Sequence, residues 1–372
     1  MHRIVHARFM SLALALIAVI CLFGLSNGSA TAATLGKKAV FVMSNNPGAN
    51  AVLAFNRAGD GSLTAAGSFP TGGMGAAGLG SQGALTLSDD GRWLFAVNAG
   101  SNDVSVLDAG DNMLTVASRV PSGGIKPVSV TAHQGLVYAL NAGETANISG
   151  FRLDPHGRLH PIAGSTKPLS TANPGGAEVA FTPDGKWLVV TEKTTQKIDT
   201  YAVDANGVAQ GPVVSPSSGA TPFGFGIDKR GHVIVSEAGS GAVSSYSIAP
   251  NGHLNAISPS VVDVGQGAAC WIAVDGNGRY AYAANAASGT ITGFKVSQDG
   301  RLTLLNANAI TAAPGGKPLD MAFSENNQYL YVFNATQLRL NTYRVQADGS
   351  LVWLGDMAGF ASTPTATGIA AR

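Results

Sequence analysis

The sequence is short of cysteine. It contains two, Cys21 and Cys270, in 372 residues. Cys21 lies in an apolar leading segment, so after processing only Cys270 would remain and no disulfide could form within the chain. The fold must therefore be held by its hydrophobic core, and about 340 residues are enough to bury one.

The sequence is also poor in charge. Only 12% of the residues are charged, and the formal net charge is +1. The sequence contains no basic stretch of the kind that would predict binding to nucleic acid. The 48 glycines, by contrast, are typical of a compact protein built from short strands and tight turns rather than of a disordered one.

The first 32 residues have the features of a secretory signal peptide. Arg3 and Arg8 form a basic start, an apolar run extends from Phe9 to Leu25, and Ala30-Thr31-Ala32 provides a small-residue cleavage site. The apolar run is at the short end for a membrane span and leads directly into that site, which disfavours a membrane anchor. Residues 1–32 contain two arginines and no acidic residue, so their removal changes the net charge from +1 to −1. We expect a monomeric mature chain, without a membrane span, in the periplasm or the extracellular medium.

A repeated phrase dominates the remaining residues. An apolar strand ends in Asn or Glu, a turn of small polar residues follows, and a second, alternating strand comes next. The terminal residues of these apolar strands lie 43 to 53 residues apart and are Asn45, Asn98, Asn141, Glu192, Glu237, Asn285 and Asn334. A repeat of roughly 40 to 50 residues that contains only strands and turns predicts the blades of a β-propeller.

The two ends of the chain predict how the propeller closes. The mature sequence opens directly on a second strand, Ala39 to Met43, and residues 363–372 have the pattern of a first strand with nothing after it. Together they complete one blade, which would protect two otherwise open sheet edges. We therefore predict an all-β fold, with residues 33–372 forming a single seven-bladed propeller of four-stranded antiparallel blades. The glycine-rich stretch 72–83 is interpreted as an enlarged loop between blades.

Several phrases resemble a known family. The seven repeats, with Thr182-Pro-Asp-Gly-Lys-Trp187, Val190-Thr-Glu-Lys193 and Asp299-Gly-Arg-Leu-Thr303, resemble the bacterial lactonase family of seven-bladed propellers, which includes 6-phosphogluconolactonase and carboxymuconate lactonising enzyme. The resemblance implies a hydrolase of small lactones, which are cyclic carboxylic esters, or a cycloisomerase. It associates the chemistry with Arg and His where first strands begin, and with a Glu after a second strand. The first-strand entrances of this chain contain no Arg-His pair.

Glu192 and Glu237 interrupt the series of asparagines on neighbouring blades, and we predict them as catalytic residues. Two carboxylates at one end of the channel could act as general acid and base, or hold a divalent cation. Alternatively, each carboxylate accepts backbone hydrogen bonds in its own turn. No resident cofactor is expected apart from such a cation.

Four further residues are predicted to bind substrate. Glu178, Trp271 and Asp320 each precede a turn residue by seven positions, so they should occupy one layer of the ring, and Lys193 follows Glu192 directly. Trp271 could stack on a ring-shaped ligand or simply pack in the core. The two acids would face the channel, or pair with Lys126 or Lys317. A nucleophilic Cys270 is disfavoured, since no base is apparent beside it.

Two functions are consistent with these patterns. The first is a lactonase-like enzyme that hydrolyses or isomerises a small lactone or sugar-acid ester at the channel mouth. The second is a non-catalytic propeller that binds a carbohydrate, peptide or protein.

Overall fold

The fold was analysed in a computed structural model that describes residues 34–372 except 111, 263–264, 361–362 and 364. The predicted signal peptide lies outside the described residues. The first fifteen strands are β1 (Ala39–Met43), β2 (Ala51–Arg57), β3 (Leu63–Pro70), β4 (Leu85–Leu87), β5 (Trp93–Asn98), β6 (Asp103–Asp108), β7 (Thr115–Pro121), β8 (Pro127–His133), β9 (Leu136–Asn141), β10 (Asn147–Leu153), β11 (Leu159–Pro161), β12 (Lys167–Pro168), β13 (Gly176–Phe181), β14 (Trp187–Glu192) and β15 (Lys197–Val203). The remaining strands are β16 (Ala209–Pro216), β17 (Pro222–Ile227), β18 (Val233–Glu237), β19 (Ala242–Ile248), β20 (Leu254–Val262), β21 (Ala269–Val274), β22 (Tyr280–Asn285), β23 (Thr290–Val296), β24 (Leu302–Leu304), β25 (Pro318–Phe323), β26 (Tyr329–Asn334), β27 (Arg339–Val345), β28 (Leu351–Ala358) and β29 (Thr367–Ala371).

These strands form seven antiparallel sheets, the blades. In chain order the blades are β29-β1-β2-β3, β4 to β7, β8 to β11, β13 to β16, β17 to β20, β21 to β24 and β25 to β28, with the short β12 added to the third blade. The innermost strands are β29, β4, β8, β13, β17, β21 and β25, and each lies against the innermost strands of both neighbouring blades. The chain is therefore a seven-bladed β-propeller, as the repeat predicts. The described residues contain no helix that could span a membrane.

Burial explains why the second strand of each repeat is continuously apolar. In β1, β5 and β22 every residue is buried, because both faces of a blade pack against adjacent blades. The outermost strands instead alternate or are largely exposed, as in β7 and β28. The sequence pattern therefore changes from an apolar run to alternation as the chain moves from the channel to the rim.

The turns follow the chemistry expected from their sequences. Between β13 and β14, Thr182 accepts a backbone hydrogen bond from Gly185, whose φ of 69° suits glycine. Asn327 takes the same position between β25 and β26 with a φ of 57°. These hairpins lie at the end of the ring opposite the seven Asn and Glu residues that end the second strands.

Closure of the ring depends on the last strand of the chain. β29 pairs antiparallel with β1, with Ile369 opposite Val42 and Ala370 opposite Phe41. The backbone N–H of Ala39 also donates to Arg372 O at 3.2 Å, and that of Arg372 donates to Ala39 O at 2.9 Å. The predicted closure is confirmed.

Replacing Ile369, which is 6% exposed, tests this closure. We expect Ile369→Ala to lower the free energy of unfolding by about 2–4 kcal/mol, because it leaves a cavity where β29 packs. Urea denaturation would measure the change. As a control, Val352→Ala at the 41% exposed Val352 should change it by less than about 0.5 kcal/mol. Equal effects of the two substitutions would contradict a structural role for β29.

Candidate functional site at the channel mouth

One end of the channel, called the mouth from here on, is where the innermost strands begin and the second strands end. Lys126 precedes β8, Lys193 follows β14 and Lys317 precedes β25. Three lysines from three blades therefore reach the same end of the ring. The charge of Lys126 acts on Lys193, and the charges of Lys193 and Lys317 act on Cys270. The three lysines are therefore close enough to interact electrostatically with the same part of the mouth.

Beneath the mouth, the channel is occupied by the segment 80–83, which connects the first and second blades. The Gln82 side chain donates through Nε2 to the carbonyls of Phe225 (3.0 Å) and Ile272 (2.9 Å), and to Glu178 Oε1 (3.2 Å). Its Oε1 accepts the backbone N–H of Ile272 at 2.9 Å. One amide thus joins the innermost strands β13, β17 and β21.

Two carboxyl groups from facing blades lie in the channel wall. Glu178 also accepts the backbone N–H of Phe225 at 2.6 Å, and burial together with the charge of Asp320 raises the pKa of Glu178 well above its ordinary value. Burial raises the pKa of Asp320 to about 7, although backbone N–H groups oppose the rise. Asp320 Oδ2 is buried and accepts no hydrogen bond from the described residues. Asp320 therefore holds its proton to a higher pH than an exposed aspartic acid does, and it retains an oxygen that accepts no hydrogen bond from the described residues.

Lys193, Phe223 and Trp271 form a group at the mouth. The Lys193 ammonium lies 5.0 Å from the Phe223 ring centre and donates to the Gly80 carbonyl. The Phe223 and Trp271 rings meet edge to face at 5.1 Å, and Trp271 Nε1 donates to Ser81 O at 3.0 Å. Burial lowers the pKa of Lys193 to about 8, and the charge of Lys126 contributes. A partly desolvated cation beside aromatic walls suits an anion or a polarised carbonyl oxygen.

Cys270 lies beside this group, but its thiol is expected to be unreactive. It is buried, and burial raises the pKa of its thiol to about 11 even though Lys317 and Lys193 oppose the rise. The thiol is therefore protonated at neutral pH, which makes it a poor nucleophile.

Glu192 is enclosed in the fourth blade. Its side chain is fully buried, and it accepts hydrogen bonds from the N–H of Ser170 (2.8 Å), the Ser170 hydroxyl and the Thr195 hydroxyl. Asp199 on β15 lies beside it, and the same Ser170 N–H contacts Asp199 Oδ2 at 3.1 Å. Burial and the adjacent Glu192 raise the pKa of Asp199 to about 8. The pair therefore holds one proton at neutral pH.

Glu237 is enclosed in the same way in the fifth blade. It is fully buried, and its carboxylate accepts hydrogen bonds from the N–H of Gly219 (2.8 Å) and from hydroxyls of Ser217, Ser244 and Ser260. The corresponding asparagine of the second blade, Asn98, is bound similarly, with its Nδ2 donating to Asp103 and Ser105. The residue that ends each of these second strands thus binds the loops around it.

The structure therefore brings some of the predicted site residues together and separates others. Glu178, Trp271 and Lys193 all contact the segment 80–83, and Asp320 interacts electrostatically with Glu178. No described hydrogen bond or ion pair connects Glu192 with Glu237, or either of them with Glu178 or Asp320. Among the described residues, no group of three or more His, Cys, Asp or Glu side chains is placed to hold a metal ion. The pairing of Glu178 or Asp320 with a lysine, one of the alternatives considered from the sequence, is absent from the described ion pairs.

Gln82 and Phe223 were not singled out from the sequence. Gln82 lies in a glycine-rich stretch whose composition indicates only a loop, and nothing local shows that the loop turns into the channel. The sequence contained one weak indication of Phe223. It follows Thr221-Pro222 where a first strand begins, and Trp271 also lies where a first strand begins.

The opposite end of the ring has a cavity of about 480 Å³ lined by Lys37, Arg92, Arg372, Asp89 and Glu325, among others. Its arginines are already engaged: Arg92 pairs with Asp108 at 3.2 Å, and Arg372 donates to backbone carbonyls of Gly91 and Gly36.

The fold defines a class of protein, the seven-bladed β-propellers. The chain belongs to the family of seven-bladed β-propeller lactonases, whose model matches residues 37–171, 158–261 and 233–316. A comparison with curated proteins returns no significant match.

Solved structures show the same fold at low sequence identity. The periplasmic gluconolactonase of Pseudomonas aeruginosa aligns with a TM-score of 0.69 and 17% identity, over 87% of this chain and 96% of that one. A protein of Bacteroides uniformis assigned as a 6-phosphogluconolactonase aligns with a TM-score of 0.67 and 22% identity, over 86% of this chain and 96% of that one. At these identities the likeness concerns the fold.

The shared proton of Glu192 and Asp199 predicts a pH-dependent stability. The folded chain keeps the Asp199 proton up to about pH 8, whereas the unfolded chain releases it near 3.8, the ordinary pKa of an aspartic acid side chain. Raising the pH between these values therefore destabilises the fold, by at most about 1.4 kcal/mol per pH unit for this group. Asp199→Asn lacks this proton, so we expect its stability relative to the wild type to rise from pH 5 to pH 8 in urea titrations.

A matched control for this experiment is Asp204→Asn in the exposed turn that follows β15. The pKa of Asp204 is lowered by hydrogen bonds, chiefly from the N–H of Val208, so its titration lies below the window tested. Parallel pH dependences for the wild type and Asp199→Asn would show that the pair does not hold the proton.

Proposed function

We propose that this protein binds a small lactone, or the sugar acid formed from it, at the channel mouth and hydrolyses the cyclic ester there. The observation that carries the proposal is the arrangement of the mouth: the partly buried Lys193 and two further lysines come from three blades, and the channel they surround contains Asp320, one oxygen of which accepts no hydrogen bond from the described residues. Membership of the lactonase family and the gluconolactonase-like structural neighbours support this substrate class.

In this proposal the Lys193 ammonium binds the carbonyl oxygen of the lactone and stabilises the negative charge that develops on it. Asp320 accepts a proton from a water molecule as that water attacks the carbonyl carbon. The ring C–O bond then breaks, and the same proton passes to the departing ring oxygen, which leaves a hydroxy acid. A base with a pKa near 7 suits this role at neutral pH. Lys126 and Lys317 attract anionic groups of the substrate.

The proposal includes the location of the protein. The basic start, apolar run and small-residue cleavage site of residues 1–32 support export, so we propose that the mature chain acts in the periplasm or the extracellular medium. Its substrate would then be a lactone found outside the cytoplasm.

Lys193→Met tests the proposed site. We expect kcat/KM for glucono-δ-lactone to fall about 100-fold, because the developing oxyanion loses its cation. The control, Lys186→Met, removes a lysine that is 75% exposed in a turn at the opposite end, and it should leave the rate unchanged. Hydrolysis would be followed by acid release with a pH indicator, with 6-phosphogluconolactone as a second substrate.

The pH profile of the wild type provides a second readout of the same proposal. The rate should rise through about pH 7 as Asp320 ionises, and fall above about pH 8 as Lys193 loses its proton. If Lys193→Met kept the kcat/KM of the wild type, the proposed role of Lys193 would be refuted. A rate of the wild type that does not change between pH 6 and 9 would refute the roles of both residues.

Glu192→Gln and Glu237→Gln test the catalytic roles predicted from the sequence. Because both carboxylates are enclosed by hydrogen-bond donors, we expect each substitution to lower the free energy of unfolding by about 1–3 kcal/mol. The kcat of the folded variants should remain within a few-fold of the wild type. A large loss of kcat in a variant of unchanged stability would instead support catalysis by that glutamate.

The segment 80–83 favours a second candidate function. It occupies the channel beneath the mouth, and Asp320 is only 3% exposed. A ligand held by the three lysines would then be an anionic sugar acid that is bound without turnover of a lactone. In that case the wild type would bind gluconate but hydrolyse no lactone, and Lys193→Met would abolish binding.

A further inference from the structure

A second concave site lies on the outer part of the propeller, between the sixth and seventh blades. This groove, called the rim groove, has a volume of about 470 Å³ and is lined by residues of β27 and β28 and of the loop before β25. It shares no lysine with the mouth. Its volume lies in the range of sites for small molecules.

An exposed tryptophan forms one side of the rim groove. Trp353 is 60% exposed, the largest exposure among the large hydrophobic side chains described. Its indole Nε1 donates to Asp356 Oδ1 at 3.0 Å, which fixes the ring orientation. Tyr343 pairs with Trp353 across the two strands and is buried, and Leu351 and Ala312 pack in the same cluster. The groove therefore combines an accessible aromatic face with an apolar floor.

The polar side of the groove is a preformed network around Asp356. Asn341 Nδ2 donates to Asp356 Oδ1 at 2.8 Å, and Arg339 Nη1 donates to Asp356 Oδ2 at 2.9 Å. The carboxylate and the guanidinium pair with each other, so no net charge from them faces the groove. Arg339 retains further N–H donors, and its side chain is 42% exposed.

The opposite wall is held in place by hydrogen bonds to the turn between β26 and β27. Gln337 Nε2 donates to the Pro314 carbonyl at 3.2 Å, and Asn334 Nδ2 donates to the Gly315 carbonyl at 2.8 Å. The loop before β25 is therefore fixed against the seventh blade. A ligand would enter a groove whose walls are already set.

We propose that the rim groove binds a neutral saccharide. A sugar ring offers an apolar face of C–H groups to an aromatic side chain, and hydroxyls at its edge to paired donors and acceptors. Because Arg339 and Asp356 pair with each other, they offer no net charge to a charged ligand. The exposed ring of Trp353 provides the apolar face on which a neutral sugar ring can stack. This site is separate from the mouth, so it does not depend on the proposed lactone hydrolysis.

Isothermal titration of the full mature chain with maltotriose, cellotriose, xylotriose and chitotriose tests the proposal. We expect at least one of these neutral oligosaccharides to bind, and Trp353→Ala to weaken that binding about tenfold or more, as lost stacking implies. The exposure of Trp353 means that this variant should still fold, which circular dichroism would check.

Two controls separate the outcomes. Val352→Ala removes another exposed apolar side chain, 41% exposed, from the adjacent position of β28 and should leave binding unchanged, as should Lys193→Met at the mouth. Saccharide binding that is the same in Trp353→Ala and in the wild type, or no binding of any of the four probes at millimolar concentration, would overturn the proposal. Self-association of the wild type that Trp353→Ala abolishes in sedimentation would assign the groove to a second copy of the chain and would likewise overturn it.

Discussion

Burial of both faces of every blade is the constraint on which the rest of this structure depends. Each second strand is apolar on both faces, so each blade is stable only between two neighbours. A row of blades would leave two such faces in water, and the pairing of β29 with β1 removes them by closing the ring. The channel and its mouth are consequences of this closure, because seven innermost strands cannot meet at a point.

Closure also explains where the polar residues lie. Where second strands end, loops crowd together and leave backbone N–H groups without strand partners, so a buried acceptor is needed. Glu192 and Glu237 meet this need by accepting the backbone N–H groups of Ser170 and Gly219. Asn98 instead accepts hydrogen bonds from the side chains of Asn50 and Thr71. A carboxylate in that position gains more hydrogen bonds than an amide oxygen, but its charge must be tolerated. In the fourth blade the neighbouring acid, Asp199, has a pKa raised to about 8 by burial and by Glu192, so Asp199 remains protonated beside Glu192 at neutral pH.

The channel and the rim illustrate two ways of making a site from one fold. At the mouth, residues from different blades converge because the ring brings their strand entrances together, and Lys193 and Asp320 are separated by 127 positions in the sequence. At the rim, Trp353, Asp356 and Asn341 come from adjacent strands of one blade. The first kind of arrangement depends on closure, whereas the second depends on the paired outer strands of one blade and on the loop that precedes that blade.

The sequence by itself determined the number of blades, their strand order and the closure, because strand periodicity, turn chemistry and repetition are local properties. It also indicated Glu178, Trp271 and Asp320 as neighbours in one layer, since equal spacing from a turn places residues at equal depth. Only the tertiary structure decided that the segment 80–83 enters the channel, because the partners of Gln82 lie 96, 143 and 190 residues further along the chain. The enclosure of Glu192 and Glu237 was decided in the same way, since hydrogen-bond donors from the surrounding loops fill the space around each carboxylate only after the blades have packed.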